Sequence, residues 1–477
     1  MDNIAIFCFR NDFRLEDNPA LSEAINQGFE IIPVFIYEPK SSQNLQPGGA
    51  SRWWLNQSIL DIDKSLKALG GRLIIKKGNT LSMMKLLVNE VSPSAVFWNR
   101  RYLKEEIDID NECQKILGTM GVKVNSFQAS LLVEPWETKN KEGNPFKVYS
   151  PFWKSIKDRN FQKVEKFDKN NIRFCKSLNL IKSDPIESLN LVSRKYDWHN
   201  AFNKYWDVSE MTAHSILDNF IANEANDYGV DRDYPSINGT SCLSPYLKWG
   251  QISPKQIVQA INANLDPSKK GPHTFIKEIY WREFAYYVMY HFPHTINSPL
   301  QEKYSNFPWD FSKATLHSWQ KGMTGYPIVD AGMRQLYETG WMHNRVRMIV
   351  ASFLVKHLLH SWVHGAKWFL DTLVDADPAS NTLGWQWSGG CGADAAPYFR
   401  IFNPMIQGMK FDSNGSYVSK WVPELSNLPA KFIHQPWEAD SKVLKQYGVI
   451  LGESYPKPII DHSFGRERAL AALSKIK

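Results

Sequence analysis

The sequence has few cysteines, and their positions indicate neither disulfides nor metal binding. The five cysteines lie far apart, at Cys8, Cys113, Cys175, Cys242 and Cys391. Their number is odd, and no pair has the spacing of a zinc site or a redox motif. We therefore expect free thiols, a reducing compartment and no metal site.

Long apolar runs and a signal peptide are also lacking. The longest strongly apolar stretch, residues 348–355, covers less than half of a membrane span. The apolar run at residues 4–9 is too short and wrongly flanked for a signal peptide. These absences predict a cytoplasmic protein without a membrane partner, and we expect a monomer.

Net charge is modest, whereas aromatic residues are abundant. The 56 Lys and Arg against 49 Asp and Glu give a net charge of +7, which permits a polyanionic partner without requiring one. The chain contains 18 Trp, 19 Tyr and 26 Phe. We expect most of these rings in the core and a minority to stack on a base or carry an electron.

The first 130 residues alternate between apolar runs and amphipathic helical stretches. The runs, which are rich in β-branched residues, lie at residues 4–9, 31–37, 73–75, 95–98 and 122–124. This alternation predicts an α/β domain with a doubly wound parallel sheet. Asn18 and Pro19 predict the first helix start, and Ser51 and Thr80 predict two others. No Gly-x-Gly-x-x-Gly motif follows the first run, so the usual dinucleotide site is not predicted there.

The rest of the chain divides into two parts. Residues 131–195 show no sustained periodicity and predict a long connection between domains. Residues 196–477 show helical periodicity and predict a mostly α-helical domain. Residues 375–387, with Gly384 and two tryptophans two positions apart, predict an irregular loop within it.

Two helical stretches carry side chains that suit a nucleobase. Glu278, Trp281 and Arg282 have spacings of three and four residues, which place them on one helix face. A carboxyl group, a flat ring and a guanidinium can hydrogen-bond, stack and neutralise a phosphate. A surface salt bridge beside a core tryptophan is the alternative. The second stretch repeats the same spacing at Asn344, Arg347 and Met348.

Two further segments could bind a cofactor. Residues 239–245 combine Gly239, three hydroxyl side chains and Pro245, and such a loop can cradle a phosphate at a helix start. A plain helix cap is the alternative. Asp375 and Asp377 could pair with arginine or accept a flavin N–H, but no His or Glu cluster completes a metal site.

These segments together closely resemble the photolyase/cryptochrome family. Residues 9–21, FRNDFRLEDNPAL, resemble the opening signature of that family, and residues 394–404, DAAPYFRIFNP, are more specific still. The resemblance runs nearly from end to end and is strongest to photolyases that repair cyclobutane pyrimidine dimers. It implies an N-terminal α/β domain, a long linker and a helical domain that binds FAD.

The resemblance also implies roles for individual residues. The positions that match FAD-binding residues are Tyr228, Thr240, Ser241, Leu243, Ser244, Asn344, Arg347, Asp375, Asp377 and Asn381. Cys242 replaces a basic residue that some relatives carry. The matches to residues around the flipped dimer are Glu278, Trp281, Asn344, Met348 and Trp387. The matches to DNA-binding positions are Arg232, Trp281, Arg282, Arg345 and Arg400, and those to the electron-relay tryptophans are Trp309, Trp362 and Trp385.

The function implied is light-driven repair of UV-damaged DNA, in which a photoexcited reduced flavin passes an electron to the dimer. A cryptochrome photoreceptor is one alternative, against which stand Asn381, where plant cryptochromes have Asp, and a chain that ends soon after the helical domain. Repair of the 6-4 photoproduct is another, but such enzymes carry His at the position of Asn344. Trp387 disfavours a DASH-type cryptochrome, and a helical DNA-binding flavoprotein without photochemistry is the remaining alternative.

An antenna pigment in the α/β domain is a further implication. Leu103 stands where an acidic residue is expected, and Glu105 and Glu106 come slightly too late. Methenyltetrahydrofolate, a deazaflavin and an empty pocket therefore remain open.

Overall fold

The structure is a computed structural model, and it describes residues 3–39, 46–161, 163–164, 166–192 and 197–476. The predicted boundary between the linker and the helical domain, at residues 195 and 196, lies outside the described residues.

The N-terminal region contains a parallel sheet. Its strands are β1 (Ile4–Phe9), β2 (Glu30–Tyr37), β3 (Ile74–Lys77), β4 (Ala95–Asn99) and β5 (Lys123–Phe127). They lie in the order β3-β2-β1-β4-β5, with all neighbouring pairs parallel. The predicted α/β fold with a doubly wound parallel sheet is therefore confirmed.

Helices cover this sheet on both faces, which explains why the central strand β1 is apolar throughout. The first helices are α1 (Pro19–Asn26), α2 (Gly49–Ala68), α3 (Thr80–Val91) and α4 (Lys104–Thr119). In β1, Phe7 and Phe9 pack into one hydrophobic cluster, whereas Ile6 and Cys8 pack into another on the opposite face. Side chains of a strand alternate between its faces, so a strand buried on both sides reads as a continuous apolar run.

The predicted helix starts have different outcomes. Asn18 is the N-cap of α1 and accepts a hydrogen bond from the backbone N–H of Leu21. Helix α3 begins at Thr80, but its N-cap is Asn79. Ser51 is wrong as a start, because α2 already begins at Gly49.

The connecting segment contains regular structure. Helix α5 (Tyr149–Ile156) packs against the helical region, and the short strand β6 (Arg173–Phe174) pairs with the beginning of β2. Such a two-residue strand carries too little pattern to be recognised from sequence.

The described C-terminal region is mostly helical. Its helices are α6 (Glu210–Asn223), α7 (Tyr228–Asp231), α8 (Ser244–Trp249), α9 (Pro254–Asn264), α10 (Lys270–His291), α11 (Lys313–Gln320), α12 (Pro327–Thr339), α13 (Asn344–Ser352), the π-helical turn Phe353–His357, α14 (Trp362–Thr372), α15 (Pro378–Ser388), α16 (Pro404–Phe411), α17 (Ser416–Trp421), α18 (Ala430–Ile433), α19 (Ser441–Gln446) and α20 (His462–Ser474). No helix in the described ranges is long and apolar enough to cross a membrane. The five cysteines are free thiols.

The predicted irregular loop at residues 375–387 is wrong, because most of it forms α15. Asp377 caps this helix by accepting the backbone N–H of Ser380, and Pro378 occupies its first turn. Gly384 lies inside the helix, and a Cβ there would meet no atom within 4 Å. The N-terminal signals of Asp and Pro therefore outweigh the helix-breaking tendency of one glycine.

One hydrophobic cluster joins the α/β region to the helical region. Trp54 in α2 contacts Tyr246 in α8 edge to face, with ring centroids 5.0 Å apart. Its indole N–H donates to the side chain of Gln251 at 3.0 Å. Glu210 in α6 accepts the backbone N–H groups of Leu15 and Glu16, each at 2.8 Å. These contacts fix α8, and the loop that precedes it, relative to the sheet.

Candidate functional site

Most of the predicted site residues line one cavity in the helical region. This cavity has a volume of about 500 Å³ and lies between α10, α13, α15 and the segment that precedes α15. The predicted residues that line it are Arg232, Ser244, Glu278, Trp281, Arg282, Asn344, Arg347, Met348, Asp375, Asp377, Asn381, Trp385 and Trp387. The two helical patterns found in the sequence therefore converge on one site.

Helical spacing explains this convergence. Residues three and four positions apart share a helix face, so the predicted residues of α10 and of α13 each point to the cavity side. Asn344 is exposed at the start of α13, whereas Arg347 and Met348 are half-buried one turn later. The cavity thus opens to solvent near Asn344 and becomes more enclosed along α13.

A buried carboxylate lies at the inner end of the cavity. The Oδ2 atom of Asp375 accepts a hydrogen bond from Arg347 at 2.8 Å and another from the Ser244 hydroxyl at 2.6 Å. Its Oδ1 atom is buried and has no hydrogen-bond partner among the described residues. A buried oxygen without a partner is unfavourable, so this atom is an acceptor site for a ligand.

A second carboxylate, that of Asp377, lies beside it. Oδ1 accepts the N–H of Ser380 at 2.7 Å, and Oδ2 accepts a hydrogen bond from the Tyr286 hydroxyl. Burial acts to raise the pKa of Asp377, but Lys248, Arg282 and these two donors together place the pKa below its usual value. The group is therefore ionised at neutral pH and able to accept a further N–H.

Asn381 lines the same cavity from the next turn of α15. Its Nδ2 atom donates to the carbonyl oxygen of Ala366 at 3.0 Å. This bond uses one of the two amide N–H groups, so Oδ1 and the second N–H remain for a ligand in the cavity.

The predicted phosphate loop divides between two cavities. Ser244 lines the main cavity, whereas Thr240 and Ser241 line an adjoining one of about 460 Å³. Leu243 is buried between them. Cys242 adopts a left-handed backbone conformation with φ of 51°, so the chain turns sharply at this position. Tyr228, at the start of α7, is buried against two phenylalanine rings and does not line the main cavity.

Ion pairs connect the loop after α7 to the cavity rim. Arg232 pairs with Glu278, and the neighbouring Asp233 pairs with Arg345. Glu278 contacts Arg232 through Oε1, so its Oε2 is the oxygen available to a ligand. Arg232 and Arg345 therefore already have acidic partners, and any contact with a phosphate would compete with these pairs.

The other two predicted DNA-binding arginines differ in environment. Arg282 is half-buried and donates to the carbonyl oxygen of Ser130 in the connecting segment at 2.6 Å. Arg400 is exposed, and its own carbonyl oxygen accepts a hydrogen bond from Lys356. Of these four arginines, Arg400 is the most accessible to a polyanion.

Two aromatic rings line the cavity near its opening. Trp281 and Trp387 are both half-buried. Trp281 is stacked on Tyr149, a residue of α5 that the sequence patterns did not identify. Tyr149 and Tyr286 could have been found only as apolar-face residues of their helices, because their contacts are formed by distant parts of the chain.

The three predicted relay tryptophans differ in burial. Trp385 and Trp362 are buried, with 2% and 3% of their surface exposed, whereas Trp309 is half-buried. Trp385 lines the cavity and contacts the rings of Phe369 and Trp319 at centroid distances of 4.9 and 6.1 Å. Of the three, Trp385 alone lines the cavity, and the relay role of the set stays a prediction.

The donors and acceptors of the main cavity fit a flavin nucleotide. The cavity lies within the size range of ligand sites and combines apolar walls with a few fixed polar groups. The carboxylate of Asp377 and the amide oxygen of Asn381 suit ring N–H groups, and Arg347 suits an anionic ring. Oδ1 of Asp375 has no donor within the described ranges. No group of three or more potential metal ligands occurs in the described part of the chain.

A further cavity lies where the α/β region meets the helical region. Its volume is about 140 Å³, and its lining includes Arg10, Arg101, Leu103, Glu106 and Lys248. Glu106 thus reaches this cavity although its position in the sequence lies later than expected, because α4 begins at residue 104 and turns the side chain inward.

Comparisons with known proteins match nearly the whole chain to photolyases and a cryptochrome. A family model described as DNA photolyase matches residues 5–169, and one described as the FAD binding domain of DNA photolyase matches residues 275–475. A deoxyribodipyrimidine photo-lyase of Agrobacterium fabrum is 44% identical over 99% of this chain and 98% of its own. Cryptochrome-2 of Arabidopsis thaliana is 38% identical over 100% of this chain and 80% of its own. The crystal structure of a class III photolyase from Agrobacterium tumefaciens superposes with a TM-score of 0.95 at 43% identity, covering 100% of this chain and 98% of that one.

Proposed function

Because the chain belongs to the DNA photolyase family, we propose that it uses FAD and light to repair cyclobutane pyrimidine dimers in DNA. The observation that carries the proposal is the composition of the main cavity. Its opening combines Trp281, Trp387, Glu278 and Asn344, and its inner end carries the polar groups that suit a flavin.

The proposed FAD site is formed by residues from four elements. Arg347, Asp375, Asp377 and Asn381 would contact the ring system through a guanidinium, two carboxylates and an amide. Hydroxyl groups of the 240–244 loop would bind the phosphates, and the adjoining cavity of about 460 Å³ supplies room beside Thr240. When bound in its reduced form, FAD would supply the chemistry of light absorption and electron donation.

The rim of the cavity would bind the lesion after it leaves the helix. Trp281 and Trp387 would stack on the two pyrimidines, and Met348 would fill the space between the base and the cavity wall. Oε2 of Glu278 and the amide of Asn344 would hydrogen-bond to the polar base edges. A damaged pair costs less to extrude than an intact one, which favours the lesion over normal DNA.

Three arginines would bind the DNA backbone. Arg400 is exposed and can contact a phosphate directly. Arg232 would exchange Glu278 for a phosphate, and Arg345 would exchange Asp233. Such contacts supply affinity that depends on salt but carry no sequence information. Arg282 would act mainly by fixing the connecting segment through Ser130.

Three tryptophans would carry electrons from an external reductant to an oxidised flavin. Trp385 lies at the cavity, and Trp362 and Trp309 would continue the path to the partly exposed end. Indole rings are the natural carriers here because they are large, polarisable and easily oxidised compared with phenylalanine.

We propose the cavity between the two regions as the antenna site. Its lining includes Arg10, Arg101 and Lys248. Both arginines pair with Asp110, so a pigment with an acidic tail, such as methenyltetrahydrofolate or a deazaflavin, would compete with that carboxylate. The proposed organisation is an antenna domain at residues 1–130, a linker at 131–195 and an FAD- and DNA-binding domain at 196–477. We also propose that the protein acts as a cytoplasmic monomer.

A cryptochrome-type photoreceptor is the second candidate, since cryptochrome-2 of Arabidopsis thaliana is 38% identical to the chain. One experiment separates the two. The purified protein, with its flavin chemically reduced, is illuminated with oligo(dT) that contains dimers, and the thymine absorbance is followed. Recovery of absorbance supports repair of cyclobutane dimers. Its absence in flavin-loaded, reduced protein contradicts that proposal, and an oligonucleotide with a 6-4 photoproduct then tests the related repair activity.

A further inference from the structure

We infer that Tyr149 is a positioning residue for Trp281 and determines which face of that ring is free for an extruded base. The inference rests on the proposed function, in which Trp281 stacks on a flipped pyrimidine. Tyr149 belongs to α5 in the connecting segment, outside the residues that line the cavity.

The two rings form a tight parallel stack. Their centroids are 3.8 Å apart, and their planes differ by 7°. Tyr149 is buried, and Phe284 contacts Trp281 edge to face at 5.8 Å. One face of the indole is therefore covered by a phenol ring and one edge by a phenyl ring, which leaves the opposite face for the cavity.

A hydrogen bond fixes Tyr149 to the helix that carries Trp281. The Tyr149 hydroxyl donates to the carbonyl oxygen of Lys277 at 2.8 Å. Lys277 lies four residues before Trp281 in α10, one helical turn away. The ring and the hydroxyl of Tyr149 thus both contact the same turn of α10, so rotation of either aromatic ring would break at least one contact.

A distant loop fixes the position of α5 itself. Val148, the N-cap of α5, supplies no side-chain cap. The backbone N–H of Asp394 donates to the carbonyl oxygen of Lys147, two residues before Tyr149, at 3.0 Å. Asp394 has a left-handed φ of 48°, so the chain turns sharply where it contacts the start of α5. This acid belongs to the 394–404 segment and gives that segment a structural role at the site.

A ring that is already fixed loses little freedom when a base stacks on it. Without Tyr149, Trp281 could adopt other rotamers, and the free energy needed to order its ring would lower the affinity for the lesion. In undamaged DNA the bases stay stacked in the duplex and do not contact the Trp281 ring. Tyr149 should therefore affect the preference for the lesion rather than affinity for DNA in general.

The test compares Kd values for an oligonucleotide with one thymine dimer and for the same undamaged oligonucleotide, using the FAD-loaded full chain. We expect Tyr149→Leu to reduce the ratio of the two affinities about three- to tenfold, the range of an aromatic pair. Tyr149→Phe retains the stack and should stay within about twofold of wild type. The matched control is Tyr287→Leu, because Tyr287 is equally buried and packs on Phe152 of α5 without contacting Trp281.

Each outcome decides between the proposals. An unchanged ratio in Tyr149→Leu overturns the role of Tyr149, provided that Trp281→Leu lowers the ratio. An unchanged ratio in Trp281→Leu contradicts the proposed function of Trp281 itself. An equal loss in Tyr287→Leu and Tyr149→Leu shows that general packing is responsible, which also overturns the inference. If Tyr149→Leu does not fold, Tyr149→Met removes the aromatic face while filling more of the space.

Discussion

Glu283 should link folding stability to pH, because it is a buried carboxyl group between α10 and the connecting segment. Its Oε2 atom accepts the backbone N–H groups of Leu132 and Val133 at 2.7 and 3.2 Å. Arg282 lies 3.6 Å from its Oε1 atom. Burial raises the pKa of Glu283 from 4.5 to about 7, although Arg282 and the two N–H groups act in the opposite direction.

The sign of the effect follows from this raised pKa. Between pH 4.5 and about 7 the folded protein retains a proton that the unfolded chain releases. The contribution of Glu283 to the free energy of unfolding is therefore complete below pH 4.5 and is lost as the pH rises through about 7. At about 1.4 kcal/mol for each pKa unit, the interval from 4.5 to about 7 corresponds to about 3 kcal/mol.

The perturbation is Glu283→Gln, which keeps an oxygen for the two backbone donors but removes the titrating proton. Urea unfolding is measured from pH 4.5 to 8 for wild type, for this variant and for Glu112→Gln at an exposed position. We expect the free energy of unfolding of Glu283→Gln to change less with pH than that of wild type, by up to about 3 kcal/mol. Parallel pH profiles for all three proteins would refute the reasoning.

Three further predictions concern the proposed activity. Glu278→Ala should lower repair per bound lesion more than it lowers DNA affinity, because a base edge loses its hydrogen-bond partner, which costs about 1–3 kcal/mol. A large loss of affinity with unchanged repair per bound lesion would contradict this. Asn381→Asp should make the fully reduced state of the flavin less stable, because an amide can donate or accept a hydrogen bond at the flavin N5 whereas a carboxylate can only accept one. A redox titration equal to wild type would show that Asn381 does not face the ring. Trp385→Phe should nearly stop light-driven reduction of oxidised flavin and leave repair by chemically reduced protein intact, as phenylalanine is much harder to oxidise. Unimpaired photoreduction in that variant would mean that electrons arrive by another route.

Where local pattern and burial agree, the sequence predicts this structure well. The strand at residues 4–9 was predicted with its observed bounds, because a parallel strand covered on both faces must be apolar at every position. The predicted residues of α10 and α13 also share the cavity side of their helices, since helical spacing alone places them on one face; their roles stay predictions.

Predictions failed where opposing local signals compete. Gly384 and the two nearby tryptophans indicated a loop, but the capping carboxylate of Asp377 and the proline after it begin a helix that continues through the glycine. Ser51 resembled a helix start, although α2 had begun two residues earlier at Gly49. Local composition alone does not rank such signals, because tertiary contacts decide which of them is satisfied.

Local pattern is sufficient for the α/β and helical division, for the cavity-facing residues of two helices and for the resemblance that implies FAD. The folded chain is needed to show that Glu278 pairs with Arg232, that Oδ1 of Asp375 has no partner among the described residues, and that Tyr149 stacks on Trp281. These contacts join residues that are tens to more than a hundred positions apart in the chain. Periodicity reports which face of an element is buried, but not which distant side chain will lie against it.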